Sequence, residues 1–379
     1  SALHPLCHTL SPNMRSVSNL LLASAAVLIG TASAEKVLGA FIFARHGDRT
    51  AKVLGNTQLT NLGYQEVYQT GSFYHDRYVA PDSPLQIDGI SQPVVNQLQI
   101  YASATADDDV IDNSAMGFLQ GLYPPVGTSA SQTLRNGTTI QSPLDGYQLI
   151  RLSPAFTGSN SENSDWIQGA SGCQQAAVSS NQFFSSSLYH DLENSTKGFY
   201  QSLSPILGSA FSNDKMSFRN AYTIYDYINV ARIHNSTQST PMNGLTNSDF
   251  HQLLALANAH EYHLSYNESE KIRAISGSVL AGAVVEGLNK TIATQGKSKL
   301  GVQLGPYSTF LSYFGLAQMP PLSPYFEGIP VYASSMAWEL VTNSTASGFP
   351  AISDISVRFL FHNGTLSSSD ILTPYPLFG

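Results

Sequence analysis

The chain has 379 residues and a formal net charge of −8, and it is 12% charged and 42% hydrophobic. That composition belongs to a globular protein and excludes a disordered one; with no basic tract, nucleic acid is not an expected partner. The length implies two lobes, or one large domain with an insertion.

Met14-Arg15 opens a short basic stretch, Leu20–Ile29 is an apolar run, and Ala32-Ser33-Ala34 fits a small-x-small cleavage site. The run is too short to span a bilayer, so residues 1–13 read as upstream sequence and Met14–Ala34 as a signal peptide. The expected location is extracellular or at the cell surface, with no membrane span in the mature chain. Sequons at Asn136, Asn194, Asn235, Asn267, Asn289, Asn343 and Asn363 imply N-glycosylation on surface loops. Cys7 falls in the leader, which leaves Cys173 without an intramolecular partner.

Val37–Ala44 is an unbroken apolar run of the kind expected of a central strand buried on both faces. A helix follows from about Thr60 to Tyr78, with Val67, Gly71, Tyr74 and Tyr78 on one face. Leu98–Ala102 reads as a second strand. Ile111, Ala115, Phe118, Leu119 and Leu122 mark a helix stopped by Pro124-Pro125. A polar loop at 158–164 leads into a helical stretch, in which Ala221, Ile224, Tyr225 and Ile228 share a face. A helix from about Ile272 to Leu288 and strands near 300–304, 331–340 and 355–362 complete the chain. The expected architecture is α/β: a mixed, mostly parallel sheet with flanking helices, built from 35–165 and 266–379, with a helical lobe inserted at 166–265.

The informative motif is Arg45-His46-Gly47-Asp48-Arg49, at the C-terminal end of the first strand. Ligands in open α/β sheets bind at that edge. Two guanidinium forks suit a phosphate, and the glycine lets the backbone approach the anion. A histidine between arginines has a lowered pKa, stays neutral at mildly acidic pH, and is then nucleophilic toward phosphorus.

Phe43–Thr50 resembles the signature of the acid phosphatase and phytase branch of the histidine phosphatase superfamily. Leu59-Thr60-Asn61-Leu62-Gly63 is similar to that family's LTxxG helix start. Ser114-Ala115 through Pro124-Pro125, Glu339-Leu340, Arg358-Phe359-Leu360 and Asn363-Gly364 resemble later family segments, so the similarity spans most of residues 35–379. Relatives often continue beyond the last residues of this chain, which implies a truncated C-terminus. The resemblance implies an α/β core with a helical cap, His46 as nucleophile, Arg45 and Arg49 as phosphate ligands, and no metal or other cofactor.

Two family elements are absent. Where the resemblance places a third phosphate-binding arginine there is Val110, and no Lys or Arg occurs between Arg77 and Arg135. Where it places a His-Asp pair that binds phosphate and protonates the leaving oxygen there is Gly305-Pro306, and no histidine occurs between His263 and His362. Asp108 and Asp109 are candidate substitute acids. The dipeptides His75-Asp76 and His190-Asp191 fall in the wrong segments. Two functions fit. The first is a secreted phosphomonoesterase of reduced activity acting through a phosphohistidine, with a small phosphorylated substrate or inorganic phosphate as its partner. The second is a non-catalytic glycosylated anion-binding protein of the same fold.

Overall fold

A computed structural model of the chain describes residues 35–105, 109–155, 169, 172–208, 210–234 and 244–378. Strand β1 (Lys36–Arg45) is buried from Val37 onward. Its side chains alternate between two cores. Ala40, Ile42 and Ala44 join one apolar cluster, and Phe41 and Phe43 join another on the opposite face of the sheet. The first cluster is completed by helices α1 (Asn61–Tyr78) and α2 (Asp109–Leu122). The second is completed by α7 (Ile275–Ala293) and α8 (Tyr307–Leu316). Burial on both faces explains why β1 carries no polar alternation.

The other strands are β2 (Ile100–Thr105), β5 (Leu152–Ala155), β6 (Leu300–Gly305), β7 (Ser335–Thr342), β8 (Ile355–His362) and β9 (Thr373–Tyr375). The short β3 (Ser131–Thr133) and β4 (Thr139–Gln141) form a separate hairpin. The large sheet has the order β5-β2-β6-β1-β7-β8-β9. β5, β2, β6 and β1 pair in parallel, and β7, β8 and β9 continue the sheet antiparallel. This is the expected α/β class with a mixed sheet and a helical layer on each face. Arg45 is the register partner of Gly305, so β1 and β6 end level with one another.

Between Gln174 and Ser265 the described chain is helical: α3 (Gln174–Gln182), α4 (Ser187–Ser202), α5 (Ala221–His234) and α6 (Asn247–Ser265), with short turns between them. These helices share an apolar cluster of their own, including Phe183, Tyr200, Phe218, Ile228 and Leu253. By contacts, Glu35–Gly379 is one compact unit. No helix among the described residues is long and apolar enough to cross a membrane. The signal-peptide reading, Asn235 and the loop at 158–164 lie outside the described residues.

Several element boundaries differ from the sequence reading. The strand expected at Leu98 starts at Ile100, because Leu98 and Gln99 form a turn on Asn96. The strand expected at Val331 starts at Ser335: Val331 donates its N–H to Asn363 Oδ1 at 2.8 Å, and Ala333 is left-handed (φ 57°). A 3₁₀ turn occupies Lys271–Ala274 before α7. Asn136 is exposed in the β3–β4 turn, and Asn343 is exposed beyond β7. Asn194 and Asn289 are exposed within helices α4 and α7 rather than on loops. Asn267 is half-buried in a turn, and Asn363 carries structural hydrogen bonds. Cys173 is free and buried.

The antiparallel half of the sheet is tied to α1 by a buried carboxylate. Glu339 on β7 is fully buried and meets Arg77 at 2.7 Å, Arg358 at 2.6 Å and the Tyr78 hydroxyl at 2.6 Å. Removing one member of such a buried network strands the remaining charges. Glu339→Ala is expected to lower unfolding stability by about 3–5 kcal/mol in urea titration; a loss below about 1 kcal/mol would show that water compensates the two arginines.

Candidate active site

The chain leaves β1 at Arg45 and turns sharply into α1, and two glycines make the turn possible. A Cβ on Gly47 would lie 2.1 Å from the Gly63 carbonyl oxygen, and one on Gly63 would lie 2.0 Å from the Asp48 carbonyl oxygen. The backbones therefore touch only because both residues lack side chains. Thr60 caps α1: its hydroxyl accepts from Gly63 N–H at 3.0 Å and donates to Asp48 Oδ2 at 2.5 Å. The N–H of Asp48 donates to Glu66 Oε2 at 2.8 Å, one turn further along the helix. Gly47 N–H donates to the buried Ser114 hydroxyl of α2 at 3.2 Å. The motif is thus fixed by backbone contacts to both helices that follow it.

His46 is buried, and its Nδ1 lies 2.8 Å from the Gly47 carbonyl oxygen. A carbonyl only accepts, so Nδ1 carries the proton and Nε2 keeps the lone pair in the neutral ring. Burial, then the charges of Arg45 and Arg49, hold its pKa well below the ordinary histidine value. The ring is therefore neutral across mildly acidic pH. Its centroid lies 5.7 Å from that of Tyr332.

Arg45 is 4% exposed. Its guanidinium lies 4.4 Å from the Tyr332 ring and 5.2 Å from the Tyr307 ring, and it donates to the Pro330 carbonyl. Its Nε has no hydrogen-bond partner among the described residues, which is uncommon for a buried donor. Arg49 is differently placed. Its fork is closed on Asp226 of α5, with contacts of 2.8 and 3.1 Å, and it also donates to the Tyr222 hydroxyl at 3.0 Å. Asp226 in turn accepts the Lys52 N–H at 2.9 Å, and the Lys52 ammonium lies 5.3 Å from the Tyr222 ring centroid.

A cavity of about 320 Å³ opens here, with Arg45, Glu66, Tyr222, Asp226 and Tyr332 in its wall. His46 is not a wall residue; its ring packs against that of Tyr332, which is one. Burial and the neighbouring Asp48 charge push the Glu66 carboxyl up to about 7, against the opposing pull of the Asp48 N–H and Arg45. Gly305 and Pro306 stand directly beside the motif, with His46 N–H donating to the Gly305 carbonyl at 3.3 Å. Val110 is buried at the start of α2. Asp109 is exposed there and is not part of the cavity wall; Asp108 lies outside the described residues. Among the described residues no cluster of His, Cys, Asp and Glu is arranged to hold a metal.

The sequence reading brought Arg45, His46 and Arg49 together, and the structure adds Glu66, Asp226, Tyr307, Tyr332 and His234. His234, at the end of α5, sits 2.6 Å from Asp48 Oδ2. Only Glu66 carried a usable signal, as a carboxylate one turn into the helix that follows the motif. The others come from segments far off in sequence.

The model of the histidine phosphatase superfamily (branch 2) matches residues 51–315. The chain belongs to that family. Among solved structures, Hafnia alvei phytase in complex with tartrate is similar at 13% identity and a TM-score of 0.57, over 87% of this chain and 85% of that one. Citrobacter braakii phytase matches at 12% identity and a TM-score of 0.56, over 86% and 84%. The Bifidobacterium longum multiple inositol polyphosphate phosphatase apo form matches at 11% and 0.51, over 93% and 90%. These likenesses establish a shared fold. No curated protein matches the chain.

The Gly47–Gly63 contact predicts a sensitive position. Gly63→Ala is expected to destabilise the protein by about 1–3 kcal/mol, the usual cost of forcing extra volume into a packed site. Chemical denaturation measures it, and an unchanged midpoint would mean that the helix can shift without cost.

Proposed function

We propose that the protein is a secreted phosphomonoesterase that works through a phosphohistidine on His46. The observation that carries this reading is the buried imidazole held neutral between arginines, with Nδ1 tied to a carbonyl so that Nε2 is the nucleophilic nitrogen. Family membership and the phytase and inositol polyphosphate phosphatase neighbours support phosphate ester chemistry. Arg45 would bind the phosphoryl oxygens, its free Nε supplying a donor. Arg49 would act through its charge while its fork remains on Asp226. With Val110 in place of a third arginine, the grip on phosphate is weaker than in a complete family member.

The leaving oxygen needs a proton, and Gly305-Pro306 has none to give. Glu66 is the group in the cavity that remains a neutral acid up to about pH 7. Glu66, rather than Asp109, stands in the cavity wall for this role. In the first step the Nε2–P bond forms, the P–O bond breaks and Glu66 protonates the departing oxygen. In the second, the Glu66 carboxylate accepts a proton from water as that water attacks phosphorus, releasing phosphate and restoring neutral His46.

The second reading, an anion-binding protein without turnover, is favoured by one arrangement. Arg45 is packed under Tyr332 and bonded to Pro330, so this segment must yield before a phosphoryl group reaches His46.

Turnover of alkyl and aryl phosphates across pH 4–8 separates the two. His46→Ala should abolish turnover of every ester. In the wild type, turnover of an alkyl phosphate should fall as pH rises through about 7, because Glu66 loses its proton there, and should persist at acidic pH because His46 stays neutral. Glu66→Gln should remove the basic limb and slow alkyl esters by about 10²-fold or more, while sparing aryl esters whose phenolate leaves unaided. Turnover independent of His46 would defeat the enzyme reading; a Glu66→Gln profile identical to wild type would assign the proton elsewhere.

A further inference from the structure

The wall of the cavity beyond Arg45 is mainly apolar and aromatic, with Asn229, Asn258 and Asn363 among its polar members. Tyr225, Ile233, Phe250, Leu254, Tyr325 and Ile329 line it, contributed by α5, α6 and the loop before β7. Arg45 is the one Lys or Arg among the described residues in that wall, and two carboxyl-bearing residues, Glu66 and Asp226, share it. Of the neighbouring cations, Arg49 is held bidentate by Asp226, and the Lys52 ammonium stands over the Tyr222 ring, 5.3 Å from its centroid. Arg232 lies outside the wall, with its guanidinium 4.0 Å from the Phe250 ring centroid. The internal segments outside the described residues, 106–108, 156–168, 170–171, 209 and 235–243, contain no Lys, Arg or His.

A polyphosphorylated ring needs a donor for each phosphate that leaves water, and unpaired buried anions are strongly disfavoured. This wall offers one guanidinium, the amides of Asn229, Asn258 and Asn363, and otherwise mostly apolar and aromatic side chains. We propose that the cavity selects monoesters bearing a single phosphate on an apolar or aromatic alcohol, with the phosphate at Arg45 and the organic group against Phe250, Leu254 and Ile233. The proposal rests on the reading of the Arg45 end as a phosphate site. It also separates this chain's substrate class from that of a phytase.

Non-hydrolysable probes test binding on the wild-type protein without involving turnover. Methylphosphonate and phenylphosphonate share a head group and differ in the ring; myo-inositol hexakissulfate supplies the polyanion. Calorimetric titration should give phenylphosphonate at least about tenfold tighter than methylphosphonate, as burial of a ring predicts. The hexakissulfate should bind more weakly than phenylphosphonate. Ile233→Lys, at a side chain that is 43% exposed, should erode the ring preference and strengthen the hexakissulfate. A smaller ring preference, or hexakissulfate binding as tightly as phenylphosphonate, overturns the substrate class while leaving the phosphate site intact. No binding of any probe, with none of the three competing with inorganic phosphate, overturns the phosphate site and the substrate class together.

Discussion

Arg45, His46 and Arg49 are all buried at one end of the central strand, at 4%, 6% and 2% exposure. Three adjacent positive charges cannot be held there without relief, because buried charge must be paired or given up. Each residue resolves the conflict differently. Arg49 takes Asp226 from a helix nearly two hundred positions away in sequence. Arg45 lies against the faces of two tyrosines and bonds a carbonyl, which leaves it cationic and only partly satisfied. His46 gives up its proton. The nucleophile and the anion-binding group thus follow from one electrostatic conflict, and α5 is needed to resolve it.

The same constraint explains why the loop is so rigidly made. A neutral histidine is useful only if its lone pair has a fixed direction, and the Gly47 carbonyl sets that direction through Nδ1. Gly47 is in turn pinned against Gly63 and Ser114. Asp48 then links the loop to the cap of α1 through Thr60, to Glu66 through its N–H, and to the end of α5 through His234. Gly305 closes the pairing of β6 with β1 opposite Arg45, and Pro306 caps α8, while a carboxyl raised to about 7 stands in the cavity wall.

Much of this was legible in the sequence, for identifiable reasons. β1 is apolar at every position from Val37 to Ala44 because helices cover both its faces, and its end marked the site. α1 and α2 announced themselves by helical periodicity and by Thr60 and Pro124. Boundaries failed where side chains replaced backbone partners, as at Val331, whose N–H goes to Asn363 rather than to a strand. The partnership of Arg49 with Asp226 was not legible, because a buried aspartate on an amphipathic helix looks like any solvated one until the helix is docked. The raised pKa of Glu66 was hidden for the same reason: it depends on burial and on Asp48, which the fold brings beside it.

The central claim is that His46 bonds to phosphorus during turnover. Rapid mixing of the protein with a radiolabelled aryl phosphate, quenching in base where phosphohistidine survives, and peptide mapping read this directly. The account predicts label on the peptide that contains His46, appearing within the first turnover and absent in His46→Ala. Phosphate release at the wild-type rate with no label on that peptide would contradict it.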